Sequence, residues 1–180
     1  MRERDLYEPI ASWLESPEFP SRSPDPNGPT ILLKMVSITA ETDWLQKSVR
    51  WLRPDLCTLI ISRGRYDPIP SVSVYAIEVK STQRELTEAV FQTLSYSRIA
   101  DYCLLAAPAD SGWTEQSFEL AGQFGIGHVR FKNEKVWDQY LHSPGERMSP
   151  DMRLRKQFLD AAFPSAQQQK DIQKALGFGK

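Results

Sequence analysis

Hydrophobic positions along this chain switch between a helical spacing and strand-like runs, and each switch marks an element. Leu6, Ile10, Trp13 and Leu14 fall three or four apart, predicting an amphipathic helix over 3–15, with Pro9 kinking it or marking an inner start. Residues 17–29 hold five prolines among Ser, Asp, Asn and Gly, a composition that predicts a loop. The runs 31–38, 55–61 and 72–80 are rich in strand formers and predict three successive strands. Thr82-Gln-Arg-Glu85 has the form of a capping box, so a helix should follow through Leu86, Val90, Leu94 and Ile99 and end near Ala100. Asp101–Pro108 predicts a fourth strand, Trp113–Phe124 a helix and Gly127–Phe131 a fifth strand. Ser149-Pro150, as N-cap and first helical proline, and the capping box Ser165-Ala-Gln-Gln168 predict two closing helices. The resulting order, α-β-β-β-α-β-α-β and two helices, predicts an α/β fold with a mixed central sheet flanked by helices.

Composition narrows the picture. The chain has 180 residues, 41% of them apolar, enough for one domain with a substantial core. Residues 1–145 are read as that domain and 146–180 as a C-terminal helical extension packed on it. A net charge of −1 excludes a protein that coats nucleic acid through bulk charge, so any such contact must come from local patches. Cys57 and Cys103 lie in apolar runs and read as core residues, which fits a reducing cytoplasm. No run approaches 18 apolar residues and the N-terminus lacks a signal-peptide core, so no membrane association is expected. No Gly-rich phosphate loop or nucleophile elbow occurs, His128 reads as a core residue, and His142 is a lone loop residue.

Chemistry concentrates on the second and third strands. Between them Arg63-Gly-Arg-Tyr-Asp-Pro-Ile-Pro suits a hairpin turn. If the hairpin centres on Tyr66 and Asp67, paired residue numbers sum to about 133 and Asp55 faces Glu78. A half-residue slip leaves both acids on one face. Two adjacent carboxylates repel unless a cation lies between them, and their oxygens suit Mg²⁺ or Mn²⁺. Lys80, two residues beyond Glu78, can stand beside an attacking water or a scissile phosphate. Asp67 is the rival acid, but the same pairing puts it at the hairpin tip. Glu3 falls on the apolar side of the first helix, where an acid needs a cation or metal, and Glu8 competes for that role. Gln92 and Tyr96 share a helix face and could orient water, the lysine or a nucleotide. Lys47, Arg50, Trp51 and Arg53 place cations and an aromatic just before Asp55, as phosphate contacts and base stacking require; an amphipathic segment with Trp44 and Trp51 in the core fits equally. Arg147, Arg153, Arg155, Lys156 and Lys170 read as solvated helix faces, or as a second DNA contact or dimer surface.

Glu3, Pro54-Asp55, Glu78-Val-Lys80 and Gln92-Thr-Leu-Ser-Tyr96 occur in the order of the PD-(D/E)xK nuclease superfamily, which residues 3–131 resemble. The opening helix is similar to that of archaeal Holliday-junction resolvases and small bacterial phosphodiesterase-like families, and Gln-x-x-x-Tyr resembles the motif of RecB-type nucleases. The resemblance implies a restriction-endonuclease-like αβββαβ core and hydrolysis of nucleic-acid phosphodiesters, DNA rather than RNA, in repair, restriction or mobile-element defence. It implies Mg²⁺ or Mn²⁺ held by Asp55, Glu78 and the Val79 carbonyl, with Glu3 beside them, and Lys80 positioning or activating water. A homodimer or larger complex is the assembly it suggests. The competing expectation is a nuclease-fold module that binds nucleic acid or protein without cutting.

Overall fold

The computed structural model describes residues 2–17, 19–20, 28–41, 52–82, 86–108, 115–131 and 147–178. Strands β1 (Thr30–Ile38), β2 (Leu56–Arg63) and β3 (Ser71–Val79) form an antiparallel meander. Strands β4 (Tyr102–Pro108) and β5 (Gly127–Phe131) then add in parallel, giving the sheet order β1-β2-β3-β4-β5. Parallel neighbours need a crossover, and helices α2 (Leu86–Ser95) and α3 (Glu115–Gln123) lie in the two that β3-β4-β5 requires. Helix α1 (Tyr7–Glu15) precedes the sheet; α4 (Met152–Ala162) and α5 (Ala166–Ala175) follow it. The chain is thus α/β, with a five-stranded mixed sheet and helices on both faces.

The strand period of two divides the core. Leu56, Ile60, Ile77 and Leu104 pack on one face with Leu6, Ile10 and Leu14 of the N-terminal helical segment. Cys57, Leu59, Val74, Ala76 and Leu105 pack on the other with Leu86 and Val90 of α2 and Phe158 of α4. Burial of both faces explains why these strands read as near-continuous apolar runs. Both cysteines are buried free thiols, as expected of core residues. Among the described residues no helix is long and apolar enough to cross a membrane.

Several boundaries differ from the sequence expectation. The first helix opens with a 3₁₀ turn, Glu3–Leu6, and the α-helix starts at Tyr7, so Pro9 lies in its first turn, where its missing N–H breaks no hydrogen bond. Helix α2 stops at Ser95 and tightens into a 3₁₀ turn, Tyr96–Arg98, rather than continuing to Ile99. The N-cap of α4 is Asp151, not Ser149: its Oδ1 accepts the Arg153 and Leu154 N–H groups at 2.9 and 3.1 Å. A carboxylate there satisfies two end donors and also complements the helix dipole. The Ser165–Gln168 capping box forms as predicted, with both hydrogen bonds at 3.1 Å. Residues 83–85 of the other predicted box, and Trp113 at the expected start of α3, lie outside the described residues.

Two residues assigned to solvent or loop are core. Phe19, in the proline-rich stretch, packs edge-on against Trp13 and Tyr75, with ring centroids 4.8 and 5.0 Å apart. Lys34 of β1 holds the backbone on either side of this turn by donating to the Ser16 and Phe19 carbonyls at 2.7 and 2.6 Å. Arg155, read as part of a solvated basic face, is instead buried and paired with buried Asp101.

Candidate functional site

The β2–β3 register runs from Leu56↔Ile77 to Ser62↔Ser71, each pair of numbers summing to 133. The hairpin arithmetic is therefore correct, and it carries Asp55 to the end of β3. There the Asp55 N–H donates to the Ile77 carbonyl at 2.9 Å, and the Val79 N–H donates to Asp55 Oδ2 at 2.8 Å. Glu78, one residue before Val79, is 1% exposed. Lys80 leaves the strand just beyond, its own N–H held by the Ala106 carbonyl of β4 at 2.9 Å.

Each carboxylate is gripped by a tyrosine from a different helical segment. Tyr7, on α1, donates its hydroxyl to Asp55 Oδ1 at 2.8 Å. Tyr96, at the end of α2, lies 2.6 Å from Glu78 Oε2 and 3.0 Å from the Arg53 carbonyl. A phenol has one proton, so the shorter, charge-assisted contact to Glu78 takes it. The Tyr96 oxygen in turn accepts from Gln92 Nε2 at 3.1 Å. Lys80 Nζ sits 2.8 Å from Glu78 Oε1 and 3.8 Å from Glu3 Oε1. The α1 side and the α2 side of the sheet thus converge on the end of β3.

Burial dominates the electrostatics. It drives the Glu78 carboxyl up to about 7, aided by the neighbouring Asp55 charge and opposed by Lys80 and Tyr96. Asp55 is also raised, chiefly by burial, while the Val79 N–H and Tyr7 hydroxyl pull it back. For Lys80, burial works against the ammonium, but Glu78, Glu3 and Asp55 outweigh it and the group is raised. Both tyrosines are pushed up by burial and adjacent carboxylates, so their hydroxyls remain donors.

The structure therefore brings together Asp55, Glu78, Lys80, Glu3, Gln92 and Tyr96, with Val79 and Arg53 contributing backbone groups. Glu8 is exposed, as is Asp67 at the turn, where its N–H donates to the Gly64 carbonyl at 3.1 Å. Glu3 approaches Lys80, and among the described residues no three His, Cys, Asp or Glu side chains form a group able to hold one ion. Lys47, Arg50, Trp51 and Trp44 lie outside the described residues. Tyr7 was missed: its helical position reads as core, yet its hydroxyl reaches Asp55. The signal was its place one turn beyond Glu3 on the same face.

Two neighbouring oxygen-donor carboxylates, both raised chiefly by burial and Glu78 also by the Asp55 charge, are chemically suited to a hard divalent cation. Each carboxylate oxygen engaged above retains a second lone pair for such an ion. Replacing Tyr96 by Phe tests the support of Glu78. It removes the proton donor to Glu78 and the acceptor of Gln92, and the protein is expected to lose about 1–3 kcal/mol of stability in urea denaturation.

No family model matches this chain, and neither a curated protein nor a solved structure shows significant similarity to it.

Proposed function

We propose that this chain is a metal-dependent nuclease of the PD-(D/E)xK kind, acting on DNA in the cytoplasm. The observation that supports it is the adjacency of a half-buried acid, Asp55, and a buried one, Glu78, both with raised pKa values, and a lysine 2.8 Å from Glu78. Asp55, Glu78 and the Val79 carbonyl would hold Mg²⁺ or Mn²⁺. When bound, the ion supplies Lewis acidity toward the phosphate and lowers the pKa of a coordinated water. Tyr7 and Tyr96 fix the two carboxylates, so the charge facing the ion is organised before it arrives. Lys80, beside Glu78 at 2.8 Å, would offset charge that builds on the phosphate during attack. Gln92 orients the Tyr96 hydroxyl. Contacts to the DNA backbone fall to Arg53 and to the Lys47, Arg50 and Trp51 segment, and a homodimer or larger complex would cut both strands.

The Lys80–Glu78 ion pair favours a second reading, a nuclease-fold module that binds nucleic acid or protein without cutting. One assay separates them. Plasmid and branched DNA are incubated with Mg²⁺ or Mn²⁺ and the wild type, Asp55→Ala or Lys80→Ala protein. The nuclease reading expects cleavage by the wild type and a loss of about two orders of magnitude or more in either variant. Cleavage persisting unchanged in both would remove these residues from the site, and wild-type binding without cleavage would favour the module.

A further inference from the structure

A second site lies toward the opposite end of β3. A cavity of about 760 Å³ opens between the sheet and the α4–α5 pair. Leu59, Ile61 and Val72 of the sheet line one side, and Leu159, Ile172 and Leu176 of α4 and the α5 end line the other. Val72 and Glu78 are six residues apart on one strand, roughly 20 Å at strand rise, so the cavity is separate from the two acids. None of Asp55, Glu78 and Lys80 lines it.

One part of the wall is charged. Asp101, Arg147 and Arg155 line the cavity together. Arg155 is 7% exposed and Asp101 1%, and they form a two-pronged pair, Nη1–Oδ1 2.9 Å and Nη2–Oδ2 2.8 Å. Asp101 Oδ2 also accepts the Val74 N–H at 2.8 Å. Its single charge is therefore spent on Arg155. Arg147 approaches the same carboxylate only to 3.6 Å, too far for a hydrogen bond, and its side chain is 62% exposed. The remaining charged pair at this wall, Lys156 with Asp160, balances itself. Among the described residues, two guanidiniums against one carboxylate leave one positive charge at the margin of a mostly apolar cavity.

We propose that this cavity binds an amphipathic monocarboxylate, its hydrocarbon body between the sheet and α5 and its carboxylate on Arg147. The volume falls within the range of small-molecule sites, and an apolar lining with few convergent polar groups is their usual build. A carboxylate matches the guanidinium fork, whereas a neutral ligand of the same shape would leave that charge unanswered. Buried Asp101 and Arg155 hold the wall rigid and set its polarity. The site depends on neither the metal nor the nuclease reading.

The test is isothermal titration of the full chain with decanoate, below its micelle-forming concentration, and with decanol as the neutral analogue. Decanoate is expected to bind at least about tenfold more tightly than decanol. Arg147→Glu, a change at an exposed side chain, should erase that preference and leave decanol affinity unchanged. Ile172→Trp, which fills the cavity, should abolish binding of both; should that protein fail to fold, nuclear Overhauser contacts between decanoate and Ile172 or Leu159 methyls in the wild type locate the ligand instead. Equal affinity for the two probes, a preference that survives Arg147→Glu, or contacts to other methyls would overturn the proposal.

Discussion

Alanine at Asp101 is expected to lower the unfolding free energy by about 3–5 kcal/mol. The carboxylate holds buried Arg155 through contacts of 2.9 and 2.8 Å and accepts the Val74 N–H at 2.8 Å. Removing it strands a guanidinium in the core, where only a long contact to the Val72 carbonyl, 3.4 Å, is left to offset the desolvation already incurred. The loss measures that stranded charge rather than the worth of the pair. The double variant Asp101→Leu with Arg155→Met should accordingly recover much of the stability, because two apolar side chains of similar volume need no partner. Urea denaturation checks both. A loss under about 1 kcal/mol for Asp101→Ala, the range of surface pairs, would contradict the burial described for this pair.

The second large effect is on pH. Glu78 has an ordinary value of 4.5 and is raised to about 7 in the fold, so the folded chain holds this proton more tightly than the unfolded chain. Below 4.5 both states are protonated and the group is neutral toward stability. As pH rises from 4.5 to 7 the unfolded state ionises first, and stability falls by roughly 3 kcal/mol from this group, the full penalty remaining above 7. Asp55, also raised, acts with the same sign from its own lower starting point. In EDTA the melting temperature of the wild type should therefore decline across this window. The Glu78→Gln protein should show a flatter profile and exceed the wild type at pH 8. Excess Mg²⁺ or Mn²⁺ should raise the wild-type melting temperature at pH 8 and leave Glu78→Gln little changed. A wild-type profile that rises between pH 4.5 and 7 in EDTA would reverse the sign and contradict the burial argument.

What was legible in the sequence was local. The turn at 63–70 fixed the pairing of β2 with β3 because a hairpin of known centre has one register, and that register brings Asp55 alongside the end of β3. Element order was equally readable, since each change from helical to strand spacing is a short-range signal. Contacts between residues far apart in the chain left no such mark. Asp101 and Arg155 are 54 positions apart, and a basic residue on a polar-looking helix gives no sign that it will turn inward to a buried acid. Tyr7 meets Asp55 across 48 positions, its ring satisfying the helix's apolar face while its hydroxyl serves the site. Phe19 was hidden for another reason: proline density predicts irregular backbone, and irregular backbone can still bury a ring. Ser149 lost the capping role to Asp151 because both types cap well, and only the fold decides which one stands at the helix start.

In the proposed site Asp55 and Glu78 act together on a divalent cation. Isothermal titration of Mn²⁺ into metal-free protein at pH 7.5 tests it most directly, using wild type, Asp55→Asn, Glu78→Gln and, as a control at an exposed acid, Asp67→Asn. The wild type and Asp67→Asn are expected to bind, with a loss of at least about tenfold in affinity in each of the other two. Wild-type protein that binds no Mn²⁺, or binding that is equal in all four proteins, would contradict it.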